Sequence, residues 1–243
     1  MKKGIPIFFV HRGFNNMLYY SVGQVKSTNP DSQIYLLGDS DNKCLEKLGI
    51  KHIMLSDYFD GAQKFADCFV NMSFNKADYE LFCFQRWFVL NSFIKQEDIT
   101  EPFVYLDSDV LIYSDLTKWA NENFNNYDIT VCKKEGPQYT FCTPDVLNQF
   151  CEYIYDCYTV PVMKQKIVDK YEFYKAKYSY GGICDMTILE LFAQNKKVLD
   201  TNVIVNGALF DNNVSCSEGF KMENKRKTVK LEHGFAYGYT TDF

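Results

Sequence analysis

No Gly-x-Gly-x-x-Gly follows the first apolar run of this chain, no two cysteines form a Cys-x-x-Cys pair, and nowhere do about 18 apolar residues run unbroken. The first absence argues against a dinucleotide-binding Rossmann site, the second against a zinc or disulfide-exchange motif, and the third against a membrane-spanning helix. The start, Met1 to Val10, is basic and then apolar, but the apolar run is much too short for a signal peptide. The chain is therefore expected to be cytosolic and cytoplasmic, with any membrane contact peripheral. No Pro/Ser/Gly-rich linker, repeat or low-complexity tract divides the 243 residues, which are expected to form a single α/β domain. Positive charge is in short supply too: 26 Lys and Arg stand against 31 Asp and Glu, a formal charge of −5 and a pI near 5.3. A nucleic-acid partner is thereby argued against, and an anionic ligand must be met locally by a cation or a few basic side chains. The nine cysteines mostly sit within apolar segments, with no paired histidines near them, and are expected to be reduced and buried small hydrophobes.

What is present begins with Ile5 to Val10, continuously apolar as a parallel strand covered on both faces should be. A helix at about Asn16 to Lys26, a strand at Ile34 to Leu37, a short helix near 43–48 and a strand at His52 to Leu55 follow. That β-α-β-α-β order predicts a right-handed, Rossmann-like and mostly parallel sheet flanked by helices, with ligands at the strands' carboxyl ends. The longest helix is expected at Asp78 to Ile94, then strands at 128–132 and 138–142. Thr143 should cap a helix from Pro144 to about Tyr158, and a further helix should run from Asp185 to about Ala193. The end, Phe220 to His233, alternates like strand.

Two acidic pairs follow apolar runs, Asp39-Ser40-Asp41 and Asp107-Ser108-Asp109. After Asp41 come polar residues and a helical pattern, so 39–42 reads as a turn and helix cap. After Asp109 the apolar pattern of Val110-Leu111-Ile112 resumes as if a strand continued. Buried carboxylates that close repel one another unless something positive joins them, and a divalent cation is the usual solution. Asp107 and Asp109 are thus candidate metal ligands, whereas Asp39 lies with His11 and Arg12 on the same sheet edge. Arg86 sits in a helix of aromatic and aliphatic residues, so it must either pair with an acid or reach an anion; the second is the expectation. Asp185 follows Gly181-Gly182 at a predicted helix start, where capping alone would explain it. The alternative is that the glycines let the backbone approach a ligand while Asp185 binds sugar hydroxyls or steers the attacking group. His233 could be a structural histidine or a third ligand for manganese.

Taken together, Cys83-Phe84-Gln85-Arg86-Trp87, Leu106-Asp107-Ser108-Asp109-Val110, Gly181-Gly182-Ile183-Cys184-Asp185-Met186-Thr187 and Leu231-Glu232-His233-Gly234 resemble bacterial-type glycosyltransferases of the GT-A fold with a DxD motif. The resemblance spans nearly the whole chain. It implies a nucleotide-sugar-binding half over about 1–112 and an acceptor-side half over about 113–243. It further implies Mn²⁺ or Mg²⁺ on Asp107, Asp109 and His233, and a donor site touching Val10, His11, Arg12, Asp39, Arg86, Ser108 and Gly182. Asp185 would be the catalytic residue, a uridine diphosphate sugar the expected donor, and a glycan or glycolipid the acceptor. The late histidine resembles retaining enzymes, so retention is the expectation. Two rival readings stand beside it: a haloacid-dehalogenase-like phosphatase, whose motif is also a pair of acids after a strand, and a non-catalytic nucleotide-sugar-binding module. The phosphatase motif wants Thr or Val where this chain has Leu111, and belongs near the first strand.

Overall fold

A strand with no polar side chain, such as Ile7–Val10, has to be covered on both faces, and this one is: β1 is buried at every position inside the central sheet. The computed structural model describes residues 4–133, 136–178 and 181–202. It also describes the backbone of four short strands at Lys221–Glu223, Arg226–Thr228, Lys230–Glu232 and Phe235–Tyr237. The central sheet has seven strands in the order β3-β2-β1-β4-β6-β5-β7. β2 (Ile34–Gly38), β3 (Lys51–Met54) and β4 (Phe103–Leu106) continue β1 in parallel; β6 (Tyr139–Cys142) runs antiparallel to β4 and to β5 (Ile129–Val131), and β5 pairs in parallel with β7 (Val198–Asp200).

Helices cover both faces, and strand alternation assigns each residue its side. Phe8, Val10, Phe103 and Tyr105 face a core built with α2 (Asp60–Ala66), α3 (Ala77–Gln96), α5 (Pro144–Thr159) and α7 (Asp185–Ala193). Ile7, Phe9, Val104 and Leu106 face the opposite core, with α1 (Asn16–Thr28) and α4 (Leu116–Asn123). α3 has apolar residues around most of its circumference because it lies under the middle of the sheet, so Phe84, Trp87, Val89, Leu90 and Phe93 are all buried. The remaining helix, α6 (Pro161–Lys177), is rich in lysine and tyrosine and buries only Ile167 among its own residues. The elements not anticipated from pattern are α2, α4, α6, β7, the strand Phe235–Tyr237 and a short 3-10 turn at Leu55–Tyr58. The cap on α5 is as expected, the Thr143 side chain accepting from Val146 N–H. Among the described residues no helix is long and apolar enough to cross a membrane, and eight cysteines form no disulfide, of which 132, 142, 151 and 157 are buried.

One expectation fails. No strand resumes after Asp109: β4 ends at Leu106 and the chain turns, with Val110 N–H bonding back to Asp107 C=O at 3.3 Å. Of the apolar residues that suggested a strand, Val110 and Ile112 pack sideways instead, while Leu111 is exposed. Ile112 is buried in the α1 and α4 core, the Val110 carbonyl accepts from Ser21 Oγ at 2.5 Å, and the Ile112 carbonyl accepts from Thr28 Oγ1 at 3.0 Å. Helix α1 supplies the partners that a neighbouring strand would have supplied.

The order 3-2-1-4 creates a switch point between β1 and β4, where successive connections leave in opposite directions. Register makes the two carboxyl ends level, Phe9 standing opposite Leu106, so His11 and Arg12 emerge beside Ser108 and Asp109. Asn42 ties the neighbouring turns together. Its fully buried side chain donates to the carbonyls of His11 (3.0 Å) and Gly13 (2.9 Å) and accepts from Asp39 N–H (3.2 Å) and His52 Nε2 (2.8 Å). Gly38 makes room for it, since a Cβ there would lie 2.0 Å from Asn42 Oδ1. Asn42→Ala strands these buried partners, and its expected cost is about 3 kcal/mol, read from the urea midpoint at unchanged m-value.

Candidate active site

The switch edge gathers most of the residues singled out in the sequence, and α3 connects them. Tyr105 and Asp107 are two residues apart and point to the same side of the sheet, towards α3. Arg86 lies on the part of α3 that faces them. Its Nη1 donates to Asp107 Oδ1 at 2.6 Å and its Nη2 donates to Asp185 Oδ2 at 2.6 Å. Nε is also engaged, on the Cys83 carbonyl at 3.1 Å. Tyr105 OH donates to the same Asp107 oxygen at 2.6 Å, and Trp87 Nε1 donates to Asp185 Oδ2 at 2.9 Å. The arginine side chain is 14% exposed, Asp107 23% and Asp185 4%, so the pairs are shielded enough to count.

These geometries decide between the two options for Arg86: it pairs with acids, and with two of them. Burial works against its charge, but the carboxylates of Asp107 and Asp185 outweigh that and hold its pKa well above the ordinary value. Burial, and the neighbouring Asp107 beside Arg86, keep Tyr105 a phenol that donates. Asp185 bonds to the first turn of its helix and also bridges. It is the first residue of α7, its Oδ1 accepts from Met186 N–H at 3.0 Å, and its Oδ2 takes the arginine and the tryptophan. The glycine pair before it serves a different approach from the one expected. Gly182, at φ +129°, lies against the chain's own Met72 and Ser73 backbone, where a Cβ would come within 2.5 Å of the Met72 oxygen.

Around this bridge the remaining candidates take their places. Val10 is buried, while His11 is half-buried, with Nε2 3.5 Å from Asn15 Nδ2. Burial lowers the His11 pKa despite the opposing pull of Asp39, Asp109 and Asp107, so the imidazole is neutral near pH 7. Arg12 projects outwards and its guanidinium lies over Phe82 (4.1 Å to the ring centre) and Phe59 (5.2 Å), with Nη2 3.4 Å from Gln85 Oε1. Asp39 closes its own turn, accepting from Gly13 N–H at 2.6 Å and Asp41 N–H at 3.1 Å. Ser108 is partly exposed in the turn after β4. Asp109 is exposed and its carboxylate forms no hydrogen bond or ion pair with the described residues. His233 lies outside the described residues, and among those described no three His, Cys, Asp or Glu side chains are arranged to hold a metal. Tyr105, Trp87 and Asn42 were not anticipated. The first two had a signal, Tyr105 by its two-residue offset from Asp107 and Trp87 by its place beside Arg86; Asn42 had only its turn context.

No protein-family model matches the chain, and no curated protein matches its sequence. Solved structures do match. Mouse xyloside xylosyltransferase 1, in its apo form, superposes with a TM-score of 0.54 at 9% identity, covering 79% of this chain and 82% of that one. The chain has the GT-A fold. Weaker likenesses run to the galactosyltransferase LgtC with donor and acceptor sugar analogs (TM-score 0.44, 16% identity, 82% of this chain and 73% of that one). Another is the glycosyltransferase GlyE of Streptococcus pneumoniae TIGR4 (0.43, 13%, 83% and 46%). At such identities the likeness establishes fold, and the chemistry has to be argued from the GT-A switch edge itself.

The lowered pKa of His11 sets a pH dependence with a defined sign. The unfolded chain takes up the imidazole proton below the ordinary value of 6.5 and the native state only lower still. This contribution to stability is therefore complete above 6.5 and is lost as the pH falls from there through the native pKa. Between about pH 7 and about pH 5 the urea midpoint of the native sequence is expected to drop further than that of His11→Asn. Equal drops would show that His11 titrates alike in both states.

Proposed function

We propose that this chain is a glycosyltransferase that moves a sugar from a nucleoside diphosphate sugar, uridine diphosphate in the first instance, to a hydroxyl of a glycan or glycolipid. The observation that carries the reading is the Arg86 bridge: it joins Asp107, at the GT-A switch edge where ligands of open α/β sheets bind, to Asp185 at the head of α7. Three elements far apart in sequence are thereby made to present polar groups to one place.

A divalent cation, Mn²⁺ or Mg²⁺, is part of the proposal, and the donor set fits it. Asp107 receives both of its bonds on Oδ1, so Oδ2 accepts nothing from the described residues, and the exposed Asp109 carboxylate stands two residues on. Carboxylate oxygens suit these hard cations, and His233 would complete the set from the C-terminal segment. When bound, the cation offsets the negative charge that builds on a departing diphosphate, an effect worth several kcal/mol.

The chain's own residues have the remaining tasks. Arg86 and Tyr105 fix one oxygen of Asp107, which leaves the direction of the other determined. Arg12, stacked on Phe82 and Phe59, and the neutral His11 line the nucleotide side together with Val10, Asp39 and Ser108. Asp185 is buried and both its oxygens are already engaged by three donors, so it orients rather than abstracts a proton from the acceptor. Retention of configuration, with a diphosphate oxygen taking that proton, is the outcome proposed, and the engagement of both Asp185 oxygens supports it. The phosphatase alternative needed its acids after the first strand of its sheet, whereas here they follow β4.

The test is a panel of nucleotide sugars scored for release of nucleoside diphosphate, with Mn²⁺ and with chelator. One donor is expected to be turned over in the presence of metal only, and Asp109→Ala is expected to lower its kcat/KM by about 100-fold. Turnover that is indifferent to chelator and to Asp109→Ala sinks the metal assignment, and phosphate release from simple monoesters without sugar transfer sinks the transferase.

A further inference from the structure

On α3, two turns before Trp87 and therefore on the same face of the helix, stands Glu80. It is an unusual residue to bury, yet it is only 1% exposed. Its Oε1 accepts from Asn75 Nδ2 at 2.6 Å and from Ser73 Oγ at 3.1 Å. Its Oε2 is buried without a hydrogen-bond partner among the described residues, as is the hydroxyl of Tyr158, a neighbour close enough for Glu80 to help raise its pKa after burial and Cys157. A carboxylate is held in such a place only if its bonds secure something.

What they secure is the strap at 71–75. Ser73 faces Gly182 in an isolated antiparallel bridge. Ile183 N–H donates to the Met72 carbonyl at 2.7 Å, and Phe74 N–H donates to the Gly181 carbonyl at 3.1 Å. Gly182 permits contact so close that any Cβ would strike Met72 and Ser73. The Gly182 carbonyl in turn accepts from Thr187 Oγ1 at 3.0 Å, inside the first turn of α7. The strap therefore clamps residues 181–183, one residue short of Asp185. α3 holds Asp185 twice: directly, through Arg86 and Trp87, and at one remove, through Glu80, the strap and the glycine pair.

We propose that Glu80 is a positioning residue for the candidate active site, fixing the 71–75 strap so that residues 181–183 deliver Asp185 to Arg86. Its bearing on sugar transfer rests on the function proposed above; its bearing on the backbone does not. The test is hydrogen exchange followed by mass spectrometry on the whole chain without ligand. In Glu80→Ala, peptides spanning 71–75 and 181–188 are expected to exchange roughly tenfold faster together, while peptides from the β1 to β4 sheet are unchanged. Glu80→Gln keeps an oxygen for Asn75 and Ser73 and is expected to retain protection in both. Asn75→Ala removes the shorter bond from an exposed residue; it is expected to show the same paired loosening to a smaller degree, and serves if Glu80→Ala does not fold. Loosening confined to 71–75, in either variant, overturns the coupling. In turnover, Glu80→Ala should lower kcat about tenfold with the donor KM nearly unchanged, and Glu80→Gln should restore it; an unchanged kcat overturns the role in the reaction. A chain inactive on every sugar donor defeats the transferase reading, and the exchange pattern still decides whether Glu80 positions 181–183.

Discussion

A guanidinium held between two carboxylates is the constraint on which the rest of this structure turns. Desolvating an arginine costs several kcal/mol unless its charge is matched and its N–H groups are engaged. Arg86 meets that condition only where α3, the end of β4 and the head of α7 arrive together, because Asp107 lies 21 residues and Asp185 lies 99 residues along the chain from it. Either carboxylate without the arginine would be an unmatched charge on a largely covered surface, and the arginine without them would be worse. Removal of any member is therefore costlier than the pairs are worth, the usual asymmetry of shielded ion pairs.

The bridge also changes how the acidic motif is understood. Repulsion between close carboxylates had suggested a cation as the positive partner of Asp107 and Asp109. In the GT-A sheet the partner of Asp107 is Arg86, reinforced by the Tyr105 phenol, while Asp109 stays exposed and unengaged by the described residues. The two acids thus differ in setting: Asp107 is anchored through one oxygen, and Asp109 is exposed at the rim.

Much of the architecture could be read from residue patterns, for physical reasons that particular elements make plain. Ile7–Val10 and Phe103–Leu106 are short, wholly apolar and bounded by polar turns, and such runs have few alternatives to a covered parallel strand. Thr143-Pro144 announced α5 because capping chemistry is local. Val110 and Ile112 misled because apolar residues record burial without recording what buries them, and α1 was the partner rather than another strand, with Leu111 between them exposed. α6 was missed since its lysines and aromatics pair along its own surface and give no clear apolar stripe. For the site, residue type and position located Arg86, Asp107 and Asp185, but their mutual pairing is a tertiary fact. Asn42 and Glu80 were invisible for the same reason: one lies in a turn and the other is a charged helix residue, and only packing shows them buried. The role given to His233 concerns a residue outside those described.

The most direct test of this account is a double-mutant cycle on Arg86→Met and Asp185→Asn, with stability read by urea denaturation at neutral pH. If the guanidinium is the element that joins α3 to the head of α7, each single variant is expected to lose about 3 kcal/mol and the double variant far less than their sum, a coupling of about 2 kcal/mol or more. Losses that add to within about 0.5 kcal/mol would show that the two side chains do not depend on one another, and would contradict the central claim.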